Sequence, residues 1–154
     1  KQQFRLMAPI LEANPPCIVS PLRRTRQTAD IALGGREYEV DDRLKEVFAG
    51  EWEGQLRTDI YKNLPEGITP ATPHIEFYAA APSGEGFDAF QARVREFVAT
   101  LTEPTVIVAH GLSGQLLRGE LCGLSRSDLG KLTNRQGCVY VIEDGVETVL
   151  DLDA

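Results

Sequence analysis

The spacing of apolar residues changes several times along the chain, and each change predicts an element. Phe4, Met7, Ile10 and Leu11 recur at helical spacing until Asn14-Pro15-Pro16 breaks the pattern, so the chain opens with a helix of about three turns. Cys17-Ile18-Val19-Ser20 then reads as a short strand. Pro21 takes the first position of a second helix, whose stripe is Leu22, Ala29, Ala32 and Leu33 and which ends at Gly34-Gly35. Tyr38, Val40 and Leu44 make an extended segment leading into the turn-rich stretch 46–54, which holds the only tryptophan, Trp52. A short helix fits 55–64. Beyond it, Pro65, Gly67, Pro70 and Pro73 keep the chain irregular, with His74 in the loop, until Ile75-Glu76-Phe77-Tyr78; such an insertion is a binding loop or lid, or else disordered.

After the turn at 82–86, Phe87, Phe90, Val94, Phe97, Val98 and Leu101 give the clearest amphipathic helix, and this aromatic stripe belongs to the core. The β-branched run 105–109 follows and stops at His110-Gly111. It fits a strand covered on both faces, as in a parallel sheet, with His110 at the carboxyl end where ligands bind in α/β folds. Leu116, Leu117 and Leu121 mark the next helix, Ser125 caps a short one, and 138–142, Asp144-Gly145 and 146–150 form a closing hairpin. Helices interleaved with buried strands predict one α/β layered domain over residues 1–154, with some antiparallel pairing at its end.

At 154 residues and 42% hydrophobic content the chain can bury one sizeable core. Its net charge of -7 argues against a nucleic-acid binder that relies on phosphate neutralisation, so any anion site must be local. No apolar run reaches membrane-spanning length, and the first residues have no signal-peptide layout, which leads us to expect a soluble, cytoplasmic protein without membrane partners. Cys17, Cys122 and Cys138 lack metal-ligand or CxxC spacing and read as buried reduced thiols. With His74 and His110 the only histidines, no metal is expected.

One local feature asks for an anion. Arg23, Arg24 and Arg26 fall within the first turn or so of the second helix, where the positive helix end disfavours cations. Taken singly, Arg24 reads as a solvated surface arginine, and His110 reads equally well as a ligand-facing imidazole or as a histidine satisfied by backbone.

The segments Ser20-Pro21-Leu22-Arg23-Arg24 through Thr28-Ala29, Leu44-Lys45-Glu46 with Gly50-Glu51-Trp52-Glu53-Gly54, Ser83-Gly84-Glu85 and Val108-Ala109-His110-Gly111 share the order and spacing of one family. The chain resembles the histidine phosphatase superfamily, the phosphoglycerate mutase-like proteins, over nearly its whole length, and its compactness is that of the small bacterial phosphatases. The resemblance implies a three-layer α/β sandwich, a mostly parallel sheet with helices on both faces. It implies that Arg24, His110 and Gly111 bind phosphate, that His110 also stabilises the transition state, and that Glu46 is the general acid for the leaving group, with Glu51 and Glu53 as rivals. Glu85 either matches a family position or caps the Phe87 helix electrostatically; Trp52 packs or walls the pocket.

Family members open with a strand ending in Arg-His-Gly whose histidine is the nucleophile, and that tripeptide is absent here. We expect it upstream of Lys1. The implied activity is a metal-independent, cofactor-free phosphomonoesterase acting on a small phosphorylated substrate through a phosphohistidine, with residues 1–154 alone inactive. A mutase-type phosphoryl transferase is the second reading. A noncatalytic phosphate-binding protein is the third, should the chain begin at Lys1. The closing hairpin offers an edge through which a homodimer could form.

Overall fold

The computed structural model describes residues 2–151; Lys1, ahead of which the Arg-His-Gly segment is expected, lies outside them. Helix α1 (Gln2–Leu11) carries Pro9 inside it and ends before Asn14 turns left-handed with φ 51°. Strand β1 (Cys17–Val19) follows, then helix α2 (Arg23–Ala32) and strand β2 (Glu39–Val40). Pro21 is not the first helical residue: Leu22 is the extended N-cap, and Pro21 shapes the turn before it. Two 3-10 turns at Asp42–Leu44 and Gly50–Trp52 shape the next segment, and helix α3 (Arg57–Ile60) is short.

Helix α4 (His74–Ala79) starts one residue earlier than its apolar pattern, so His74 is an exposed first-turn residue instead of a loop residue. Helix α5 (Phe87–Val98), strand β3 (Val106–Val108) and helix α6 (Gly111–Leu121) come next. Helix α7 (Arg126–Leu129) has Ser125 at its N-cap position, but the Ser125 hydroxyl bonds Asp128 and leaves the backbone uncapped. Strands β4 (Val139–Glu143) and β5 (Val146–Leu150) close the chain as an antiparallel hairpin. Asp144 and Gly145 both have positive φ there, the backbone that a two-residue hairpin turn with matching twist requires.

The sheet is parallel in the order β2-β1-β3, with Ile18 opposite Ile107 and Val19 opposite Val108. Alternation along these strands divides the interior into two cores. Cys17, Val19, Val106 and Val108 pack with Met7, Leu11 and Ala29 of α1 and α2, while Ile18 and Ile107 pack with Phe90, Phe97 and Leu116 of α5 and α6. Helices thus cover both faces. A third cluster, Trp52, Ile60 and Phe77, holds the middle of the chain, with the Trp52 and Phe77 rings 4.8 Å apart.

Two expectations change at the level of burial. Cys17 is buried, but Cys122 and Cys138 are only half-buried. Strand β3 is also half-buried, because it pairs with β1 along one edge and no ladder joins it to β4. Both strands line a cleft of about 1340 Å3 that runs from Met7 and Ile10 to Arg24, Glu46 and His110.

Gly50 fixes the path of the loop after Glu46. Its φ is 46°, and a Cβ there would lie 2.2 Å from the Pro82 carbonyl oxygen and 2.4 Å from the Gly84 nitrogen. Gly54 is also left-handed, φ 74°, but a Cβ there meets open space. Gly54→Ala should therefore cost about 1 kcal/mol of backbone strain. Gly50→Ala should exceed it by at least about 1 kcal/mol, because the clash is with backbone. Urea unfolding midpoints of the two variants check this order, and equal losses would contradict the close approach.

Candidate active site

Parallel pairing brings the carboxyl ends of β1 and β3 together, and the Ser20 amide extends the ladder to the Val108 carbonyl at 2.9 Å. The chains then turn into α2 and α6. Arg24 on the first turn of α2 and His110 at the N-cap of α6, 86 positions apart, thereby meet: Arg24 Nε donates to His110 Nδ1 at 3.0 Å. Ser20, fully buried, places its hydroxyl oxygen 2.6 Å from His110 Nε2.

These contacts define the state of the imidazole. A guanidinium can only donate, so Nδ1 carries the lone pair and Nε2 the proton, which is donated to Ser20 Oγ. Burial, then the positive charges of Arg24 and Arg93, push the His110 pKa from 6.5 down to about 4. At neutral pH the group is an uncharged donor. Among the described residues the two terminal nitrogens of Arg24 meet no acceptor, so they remain for a ligand's oxygens.

The amino end of α6 completes the arrangement. Three of its four leading amides find side-chain acceptors. His110 N donates to Ser113 Oγ at 3.2 Å, and Leu112 N and Ser113 N donate to the two oxygens of Glu46 at 3.0 and 2.8 Å. The amide of Gly111 has no acceptor among the described residues. A Cβ on Gly111 would stand 3.9 Å from Glu46 Oε2 and 3.8 Å from Asn134 Nδ2, so this glycine is where the loop from Glu46, the α6 terminus and Asn134 converge.

Arg24, Glu46, His110 and Gly111 therefore share one end of the cleft. The rivals of Glu46 point elsewhere: Glu53 accepts from the Ala49 amide, and Glu51 from the Ser83 hydroxyl. Glu85 does not cap α5; its carboxylate takes a bidentate pair of bonds from Arg93 and one from the Phe48 amide. Trp52 is packing. His74, Arg57 and Tyr61 do not line the cleft, and Arg57 bonds the Tyr61 hydroxyl. Arg23 and Arg26 are exposed, with no ion pair among the described residues.

Three residues entered the site without being singled out from sequence. Ser20 and Ser113 hold the imidazole and the backbone of His110. Asn134 reaches the site because Arg118, buried on α6, binds Asn134, the Thr133 carbonyl and both oxygens of Glu147 on β5. No three His, Cys, Asp or Glu side chains are grouped to hold a metal among the described residues, and no helix among them is long and apolar enough to cross a membrane.

Comparison with known proteins finds relatives of the whole described chain. The model of the histidine phosphatase superfamily (branch 1) matches residues 1–149. The chain is 29% identical over 133 residues to the adenosylcobalamin/alpha-ribazole phosphatase of Escherichia coli K12, covering 82% of this chain and 65% of that protein. It is also 29% identical over 143 residues to phosphoserine phosphatase 1 of Hydrogenobacter thermophilus, covering 85% of this chain and 64% of the relative. The crystal structure of the alpha-ribazole phosphatase from Shigella flexneri superposes with a TM-score of 0.71 at 27% identity, over 99% of this chain and 80% of that one. The chain thus spans slightly less than two thirds of the length of these curated relatives.

The depressed basicity of His110 has a measurable sign. Its folded pKa lies below its unfolded value, so its contribution to stability is present above 6.5 and is lost as pH falls through about 4. Imidazole NMR should show His110 still neutral at pH 5.5 with its proton on Nε2, and Arg24→Ala should raise the midpoint toward 6.5. A wild-type midpoint near 6.5 would contradict the arrangement.

Proposed function

The chain belongs to the histidine phosphatase superfamily, branch 1, and on that premise we propose that the intact protein is a metal-independent phosphomonoesterase of small phosphorylated substrates, working through a phosphohistidine. The observation that carries this reading is the Arg24–His110 contact beside the open Gly111 amide and the Glu46 carboxylate: fixed donors around one spot, at the end of two parallel strands. Relatives named for alpha-ribazole and phosphoserine phosphatase activity favour hydrolysis over mutase chemistry.

In this reading Arg24 grips two phosphate oxygens with its terminal nitrogens. Neutral His110 donates to the oxygen on which charge grows in the pentavalent transition state, and the Gly111 amide adds a second donor. The nucleophile is a histidine in an upstream Arg-His-Gly segment, whose strand fits between β3 and β4 and pairs with both edges of the cleft. Its ring nitrogen bonds to phosphorus as the phosphorus–oxygen ester bond breaks. Glu46 gives its proton to the departing oxygen, and the carboxylate so formed is received by the Leu112 and Ser113 amides. Water then attacks the phosphohistidine, losing its proton to Glu46, and releases phosphate.

Residues 1–154 form the rest of that single domain and are inactive without the nucleophile. The full-length protein should hydrolyse an aryl phosphate, be inhibited by vanadate and form an acid-labile, base-stable phosphoprotein in single turnover. His110→Ala should lower kcat by about a hundredfold or more. Residues 1–154 alone should show no turnover. Unchanged activity in His110→Ala would overturn the reading.

A further inference from the structure

Arg93 is the most heavily engaged side chain that the site description leaves without a role. It lies on α5 between Phe90 and Val94, with its guanidinium 4.7 Å from the Phe90 ring centroid. Every one of its N–H groups has a specific acceptor. Nε donates to Glu85 Oε1 at 2.5 Å and Nη2 to Glu85 Oε2 at 2.9 Å, a bidentate fork. Nη1 donates to the carbonyls of Arg43 at 2.6 Å and Lys45 at 2.9 Å, and Nη2 to the carbonyl of Glu46 itself at 3.2 Å.

Three of the five bonds thus grip the backbone that presents Glu46. Glu85 is itself pinned to the same loop: its amide donates to the Phe48 carbonyl at 2.9 Å, and its carboxylate accepts from the Phe48 amide at 3.3 Å. Both partners of this ion pair are about four fifths withdrawn from solvent, at 18% side-chain exposure each. A loop that meanders from a 3-10 turn at Asp42–Leu44 to another at Gly50–Trp52 has no ladder of its own to fix it. The guanidinium supplies that missing frame.

We propose that Arg93, held by Glu85, is a positioning residue for the general acid: it fixes the Glu46 main chain so that the carboxyl group stays within reach of the α6 amino terminus and the leaving oxygen. This rests on the proposed hydrolase reading and adds a residue to it. Arg93 touches no substrate. Lysine cannot replace it, because an ammonium has three donors from one point and cannot serve a carboxylate fork and three carbonyls together.

The role has a signature that general weakening of the fold lacks. An aryl phosphate with a low-pKa leaving group departs without much help from an acid, whereas an alkyl phosphate needs the proton. In the full-length protein, Arg93→Gln should lower kcat/KM for an alkyl phosphate, which reports the step that phosphorylates the histidine, by about tenfold or more, with kcat/KM for p-nitrophenyl phosphate changed by less than about threefold. Arg93→Lys should show the same selectivity in milder form and serves as the test variant where Arg93→Gln lowers the thermal midpoint below the assay temperature. Glu85→Gln should be selective in the same direction. Equal losses on the two substrates, or none, overturn the positioning role while leaving the hydrolase reading intact. A wild-type protein that forms no phosphohistidine and turns over neither substrate overturns both.

Discussion

Parallel pairing of β1 and β3 is the constraint from which the site follows. Two parallel strands that end level with each other deliver their next residues, and the amino ends of the helices they feed, into one small region. Helix α2 starts with an arginine that would be electrostatically misplaced in isolation. Beside α6 that arginine finds the lone pair of a half-buried neutral imidazole, and both line the cleft. Sheet, caps and side-chain charges are therefore parts of one arrangement, and loss of the strand register would scatter all of them.

Around that meeting point the protein uses ionised and polar side chains to hold irregular backbone. Arg93 fastens the loop bearing Glu46, and Arg118 fastens the segment bearing Asn134 to α6 and β5. Each stacks on a ring of its own surroundings, Phe90 for the first and Tyr140 at 3.8 Å for the second. The two clamps approach the α6 terminus from opposite directions in the chain. Both use the fork geometry that only a guanidinium offers.

Much of this was legible from the residues. The apolar period located every long helix and the hairpin, and β-branched runs located β1 and β3, because burial on one or two faces leaves a periodic imprint. The motifs marked Arg24, Glu46, His110 and Gly111, and the structure gathers all four at one end of the cleft. What escaped notice depends on atoms that meet only in three dimensions. Ser20 reads as the end of a strand until His110 Nε2 arrives 2.6 Å from its hydroxyl. Arg93 and Arg118 stand off the apolar stripes of their helices, so the period does not mark them, and their partners come from segments far away in the chain. Pro21 and Ser125 misled for a simpler reason. Statistical preferences at helix starts do not say whether a hydroxyl will choose the backbone or a neighbouring carboxylate, as Ser125 chose Asp128.

The separation of the paired strands also governs how the molecule comes into being. Ser20 and His110 stand 90 positions apart, so the contact between them closes a very long loop, and its entropy must be met before any reward from the pairing is collected. During synthesis α1 and β1 emerge long before β3 exists. Local elements such as α5 can form early, but the Arg24–His110 pair has no meaning in a nascent chain that has not yet reached β3. The site is thus among the last features to be assembled, and it is present only in molecules whose sheet has closed.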